Sequence, residues 1–264
     1  MLRSRILIPL LLFAGCAPDK GPIEIPFRVQ FGDRLIGCKA ESPEFTLTDL
    51  RFYVSDVRLL DETGTATPLE LVVVPQWQSA EVALLDFENG EGGCTNGTAG
   101  THTALRGRIE KAAYTGLRFR IGVPEHLNHG DPLLAEPPLG DTAMHWHWTS
   151  GYKFLRAGIA SDSDGYWLHL GSTRCSGSVT DIEGCQSSNR AEARLAGYVP
   201  GRDTVIIDLQ TLVDEVVLDD GVPTDCSSGP TELACDRPFA ALGIDFESGR
   251  STAPAAIFRV ESTQ

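Results

Sequence analysis

Apolar and polar residues alternate along much of this chain. Phe27, Val29 and Phe31 are separated by Arg28 and Gln30, and the same pattern recurs at Leu50, Phe52 and Val54, at Leu117, Phe119 and Ile121, and at Val205, Ile207 and Leu209. Side chains of an extended strand point to opposite faces in turn, so each segment predicts a half-buried strand. Clusters of Gly, Pro, Asp and Asn at 88–93 and 219–223 interrupt the alternation where turns belong. Helical spacing is scarce. The one candidate is 208–217, with Leu209, Leu212 and Val213 along one side. The pattern predicts an all-β fold, an antiparallel β-sandwich with long loops, and neither a clean linker nor an internal repeat divides it.

The N-terminus follows a different rule. Arg3 and Arg5 precede an apolar run over 6–13, and Ala14-Gly15-Cys16 follows. This is the charged, apolar and small-residue order of an export signal. Pro9 interrupts the run and Cys16 ends it, well short of the roughly 20 apolar residues that a membrane span needs. Phe13-Ala14-Gly15-Cys16 resembles a bacterial lipobox. Residues 1–15 are therefore read as a signal peptide, Cys16 as the lipidation site, 16–24 as anchor and tether, and 25–264 as one β-rich domain. The alternative is an ordinary signal peptide in which Cys16 is incidental. Ala17, where an aspartate would retain a lipoprotein at the inner membrane, favours the outer membrane, so the expected location is the periplasm or cell surface.

Charge and cysteines narrow the function classes. The chain has 22 basic and 36 acidic residues for a net charge of −14, and loss of Arg3 and Arg5 with the leader makes it two units more negative. Such a surface repels phosphate backbones, which argues against nucleic acid and suits cations or a basic protein. Of the seven cysteines, Cys16 takes the lipid and six remain, an even number that an oxidising compartment would pair. Six cysteines allow fifteen connectivities. Proximity favours Cys175–Cys185 and Cys226–Cys235, which leaves Cys38 for Cys94. A thiolate metal site is disfavoured, because no Cys-x-x-Cys pair occurs.

The densest chemistry lies in Met144-His145-Trp146-His147-Trp148. In an extended strand His145 and His147 would share one face, a candidate metal pair, and Trp146 and Trp148 the other, a core or a redox site. His126 and His129 sit in a loop after Val123, and His169 ends an apolar strand. Imidazole suits copper, zinc, iron and nickel, and copper(II) binds most tightly among the divalent ions. The plain alternative for each histidine is a hydrogen-bonded structural role. Asp86 and Glu88 share a strand face, where a structural salt bridge with neighbours such as Lys153 and Arg156 is favoured over paired-carboxylate catalysis. The loop 161–165 resembles a calcium loop only loosely, lacking the distal glutamate. No haem-attachment, nucleotide-loop or hydrolase-elbow motif occurs.

Several separate stretches carry a family resemblance: Asp49-Leu50-Arg51-Phe52-Tyr53-Val54-Ser55-Asp56-Val57, Ala83-Leu84-Leu85-Asp86-Phe87-Glu88, Gly116-Leu117-Arg118-Phe119 with Gly122-Val123-Pro124, Leu127-Asn128-His129, Trp146 and Trp148 with Ser150-Gly151-Tyr152-Lys153-Phe154, and His169-Leu170-Gly171-Ser172-Thr173. They resemble the MbnP-like proteins, also called metallo-mystery pair four-Cys proteins, over nearly the whole mature chain. The resemblance implies a periplasmic or surface copper-binding protein that is not itself an enzyme. In such proteins copper is held by histidines and by a kynurenine, formed from a tryptophan by a dihaem cytochrome c peroxidase-like partner. His129 and His169 match the histidine motifs, and either Trp146 or Trp148 matches the tryptophan motif. His145 and His147 are further candidate ligands. Kynurenine offers an aromatic amine and a carbonyl where indole offers one N–H donor, so oxidation would turn a poor ligand into a usable one. The loop from Gly130 to Gly140, rich in Gly and Pro, would leave the indole open to an external oxidant. Two rival readings stand beside this one: a copper oxidoreductase with an open coordination position, and an interaction module whose Trp and His residues only pack a core.

Overall fold

The computed structural model describes residues 19–39, 45–147, 149–160, 165–178, 181–213 and 225–262. The leader, Cys16, Trp148 and most of the 161–165 loop lie outside the described residues. Among the described residues sixteen strands follow one another: β1 (Lys20–Phe31), β2 (Arg34–Leu35), β3 (Thr46–Leu60), β4 (Ala66–Pro68), β5 (Glu70–Leu71), β6 (Val82–Asp86), β7 (Ala104–Glu110) and β8 (Gly116–Ile121). After these come β9 (His145–His147), β10 (Gly151–Ala160), β11 (Gly165–Gly171), β12 (Thr173–Ser178), β13 (Asp181–Ser187), β14 (Ala191–Ala196), β15 (Asp203–Asp208) and β16 (Phe258–Ser262).

The alternating segments form two sheets. One has the order β16-β15-β1-β7-β5, with β2 on β1, and the other the order β11-β10-β3-β8-β14, with β4, β6 and β9 on its flanks. The apolar sides face each other. Phe27 of β1 meets Phe52 of β3 and Phe119 of β8 edge-on at 6.3 and 5.7 Å, and Phe258 of β16 closes on the same two rings at 6.1 and 5.1 Å. All four rings are buried, so the sandwich is held first by apolar burial, at about 25 cal/mol per Å².

Three details depart from the simple pattern. First, β1 and β15 run parallel, Phe27 facing Val205, within otherwise antiparallel sheets. Parallel neighbours need a long crossover, and much of the chain lies between these two. Second, β1 begins at Lys20, which pairs with Glu110, so residues 20–24 are part of the sheet rather than of a tether. Ile25 and Ile23 continue the inward alternation, and that extends the strand outward from the core. Third, the helix expected over 208–217 is, among the described residues, a single 3-10 turn at Leu209–Leu212. The Asp208 carboxylate accepts from Gln210 N–H at 3.1 Å and from Gly32 N–H at 2.9 Å, and these bonds end β15 and fix a turn.

Three disulfides join loops to this frame: Cys38–Cys94, Cys175–Cys185 and Cys226–Cys235. The last holds a segment against the outer edge of β11, where His169 N–H donates to Cys226 O at 2.8 Å and Ser228 Oγ donates to His169 O at 2.8 Å. An otherwise open sheet edge is thereby covered. No helix among the described residues is long and apolar enough to cross a membrane.

Candidate functional site

The site forms where β9, β10 and β11 meet the loop after β8. Within β11, Tyr166, Leu168 and Leu170 point into the core, which puts Trp167 and His169 together on the half-exposed face. Trp167 lies 6.3 Å from the His169 ring. On the other side Trp146 of β9 approaches the same imidazole edge-on at 6.4 Å. His169 is thus bracketed by two indoles, and Trp167 is a neighbour that the motif reading did not single out. Its signal was present in the alternation Trp167-Leu168-His169.

Gly171 makes the Trp146 position available. A Cβ there would lie 2.9 Å from Trp146 Cε3 and 2.9 Å from the Tyr152 carbonyl oxygen, so any larger residue would displace the indole or part the strands. The His129 loop is clamped in a similar way. Gly151 has φ of +77°, and its missing Cβ would lie 2.1 Å from Asn128 O. Into that space comes the buried Asn128, whose Oδ1 accepts from Tyr152 N–H at 3.1 Å and whose Nδ2 donates to Ser150 O at 3.2 Å. Gly171 pairs with Lys153, one residue beyond Tyr152. The 151–153 segment therefore links the His129 clamp on one side to the Trp146–Gly171 contact on the other.

The histidines separate by what their nitrogens touch. His169 Nε2 and His129 Nδ1 are buried and have no hydrogen-bond partner among the described residues. Burial, together with the nearby Arg156 and Lys153 cations, lowers the His169 pKa to about 4, leaving a neutral imidazole at physiological pH. Burial also lowers the His129 pKa, opposed by Glu125. His129 Nε2 is 3.2 Å from Asn128 Nδ2, 3.6 Å from Glu125 Oε1 and 3.6 Å from Cys185 Sγ. His147 is different: it is exposed, and Thr149 Oγ1 at 2.8 Å and Ser150 Oγ at 3.1 Å occupy its Nδ1 and Nε2. His145 packs edge-on against Tyr152 at 5.4 Å, and burial lowers its pKa. Strand alternation sets His145 and His147 on the face of β9 away from Trp146. The structure therefore brings His169, Trp146 and Trp167 together and ties the His129 loop to the same strand start, while His147, its nitrogens occupied by hydroxyls, meets Trp146 edge-on at 6.4 Å.

The remaining histidines have structural partners. His102 Nε2 is 3.1 Å from Gln78 Oε1 and the ring stacks on Trp77, while His126 pairs with Glu81 at 3.0 Å.

Beneath β10 lies a buried charge cluster. Arg51 of β3 and Arg156 of β10 stand opposite each other, a repulsive pair unless compensated. Arg51 Nε meets Glu88 at 2.6 Å and Asp49 at 3.7 Å, and Arg156 pairs with Asp49. Desolvation and the adjacent Asp49 carboxylate raise the Glu88 pKa to about 9, and desolvation raises Asp86 to about 6. Glu88 is thus held by Arg51 rather than by Lys153 or Arg156. Because Arg156 is also the strand partner of His169, this cluster fixes the floor on which His169 rests.

The comparisons with known proteins agree with this architecture. The family model described as MbnP matches residues 20–228. Among solved structures, MbnP from Methylosinus trichosporium superposes with a TM-score of 0.81 at 27% identity, covering 93% of this chain and 100% of that one. No curated protein sequence matches the chain significantly.

Proposed function

The chain belongs to the MbnP family, and from that premise we propose that it is a copper-binding protein of the periplasm or cell surface, anchored through lipid on Cys16, that retains copper rather than turning over a substrate. One observation carries this reading: His169 and His129, half-buried imidazoles whose pKa values burial lowers, each keep a buried ring nitrogen with no hydrogen-bond partner among the described residues. An unpaired buried ring nitrogen, donor or acceptor, costs about 1–3 kcal/mol. A bound cation would supply the partner that each ring lacks. Imidazole nitrogen suits copper, and Irving–Williams ordering favours copper over the competing divalent ions.

In this reading His169 Nε2 and His129 supply nitrogen donors. Trp146, half-exposed and packed on His169, is the indole to be oxidised to kynurenine by a dihaem cytochrome c peroxidase-like partner, with Trp148 the alternative. Copper bound there would supply a one-electron redox couple. The chain's own contribution is to hold the imidazoles neutral, to press an indole against one of them through Gly171, and to lock the His129 loop through Asn128.

Copper titration against a chromophoric chelator tests the binding. His169→Ala and His129→Ala should each weaken copper retention at least tenfold, while His147→Ala leaves it unchanged. Peptide mass spectrometry of protein co-expressed with its dihaem neighbour should find kynurenine at Trp146 or Trp148. A chain retaining no copper after buffer exchange would end the copper reading, and unmodified tryptophans would end the kynurenine part alone.

A further inference from the structure

The three disulfides are not equivalent. Cys38, Cys94, Cys226 and Cys235 are buried, whereas Cys175 and Cys185 are half-exposed on the hairpin β12–β13, which forms a two-stranded sheet of its own. Cys175 and Cys185 face each other directly in that antiparallel ladder. The sulfurs of the pair and a ring nitrogen of His129 all lie within 4.8 Å of one another, and His129 Nε2 is 3.6 Å from Cys185 Sγ. We propose that the Cys175–Cys185 disulfide is a masked metal site: once reduced, Cys175, Cys185 and His129 form a two-sulfur, one-nitrogen donor set for a thiophilic cation, copper(I) first among them.

The geometry needs little rearrangement. Two ligands on one tetrahedral ion, with metal–nitrogen near 2.0 Å and metal–sulfur near 2.3 Å, stand about 3.5 Å apart, and two sulfurs about 3.8 Å. The His129–Cys185 spacing is already at that value, and the Cys175 sulfur lies within 4.8 Å. The sulfurs part by rotation about their Cα–Cβ bonds. The ladder keeps both thiols on one face, because it does not depend on the S–S bond alone. Arg174 donates to Ser187 Oγ at 2.9 Å and to Glu247 O at 2.6 Å, and Ser172 Oγ donates to Ser188 O at 3.0 Å, holding the base of the hairpin. His129 is held separately by the Asn128–Gly151 clamp. Glu125 Oε1, 3.6 Å from the same nitrogen, or a water completes the coordination. Thiolates are soft donors and select copper(I) and zinc.

The redox step balances with an external dithiol as reductant. Its thiolate attacks one sulfur, the Cys175–Cys185 bond breaks, and the dithiol closes to its own disulfide; two electrons and two protons pass to the protein. Cation binding then releases the two thiol protons. The buried pairs Cys38–Cys94 and Cys226–Cys235 are shielded from the same reagent.

The proposal shares only His129 with the copper reading above, so the two can fail separately. The mature chain carrying His169→Ala, reduced with a dithiol that is then removed anaerobically, is titrated with copper(I). It should take up a further equivalent of copper(I) with thiolate-to-copper charge-transfer absorption, and alkylation should label Cys175 and Cys185 but not the other four cysteines. Oxidised protein and the Cys175→Ser/Cys185→Ser variant should lack that absorption while keeping the native circular dichroism. Addition of His129→Ala should weaken the reduced site at least tenfold. Equal copper(I) uptake before and after reduction would overturn the proposal, and so would an unchanged affinity with His129→Ala. Full copper retention by oxidised His169→Ala protein would instead count against His169 as a ligand and leave the thiol site standing.

Discussion

Gly171→Ala tests the construction of the site at its tightest point. The added methyl would meet Trp146 Cε3 at 2.9 Å, Cζ3 at 3.0 Å and the Tyr152 carbonyl oxygen at 2.9 Å. Carbon–carbon contact is comfortable near 3.5–4.0 Å, so the indole must retreat by about 0.6 Å or more. The carbonyl has less freedom, since it belongs to the strand paired with β11. Overpacking of this kind costs about 1–3 kcal/mol. For a chain of this size that lowers Tm by about 2–12 °C. Because Trp146 rests on the His169 ring, its retreat should shift tryptophan emission and weaken copper retention together. The assay is a double-mutant cycle by thermal or urea unfolding: in a Trp146→Ala background the penalty of Gly171→Ala should fall by at least half, the remainder coming from Tyr152. Additive penalties within about 0.5 kcal/mol would refute the reasoning, since they would mean that the indole does not occupy the space over Gly171.

Three further outcomes follow from the same structure. Glu88 has its proton affinity raised from 4.5 in the unfolded chain to about 9, so the folded state holds a proton that the unfolded state has released across that window; stability should fall as pH rises from about 5 to about 9, and Glu88→Gln should flatten the urea-midpoint profile there. An equal slope in both proteins would remove Glu88 as the cause. Asn128→Ala leaves Tyr152 N–H and Ser150 O without their partner, which should cost about 1–3 kcal/mol in chemical denaturation and loosen copper held through His129, whereas a neutral substitution would show that the clamp is dispensable. Cys38→Ser/Cys94→Ser opens a bond across 56 residues and should cost about 4 kcal/mol on chain-entropy grounds, more than the roughly 2.7 kcal/mol for loss of Cys175–Cys185; the reverse order by urea unfolding would contradict that ranking.

Much of this molecule could be read from residue order alone. Alternation at Phe27–Phe31, Leu50–Val54 and Leu117–Ile121 is a local property of an extended chain, and those segments are strands β1, β3 and β8, although Leu50–Val54 is buried on both faces rather than one. The family, too, was visible in short motifs, because those motifs record local geometry such as the turn at Gly151 and the close approach at Gly171. What alternation could not decide was which ring nitrogen is left without a hydrogen-bond partner among the described residues. His145 and His147 sit in the densest cluster of the sequence, yet the hydroxyls of Thr149 and Ser150 occupy both nitrogens of His147. His169 ends an apolar strand, and folding surrounds it with Trp146, Trp167 and the Arg156 floor. Nor could residue spacing place the β12–β13 disulfide against His129, 56 positions away from Cys185. A strand's face is set by neighbours one and two residues away. Desolvation and hydrogen-bond satisfaction are set by whatever the whole chain packs against that face, and only the tertiary structure decides them.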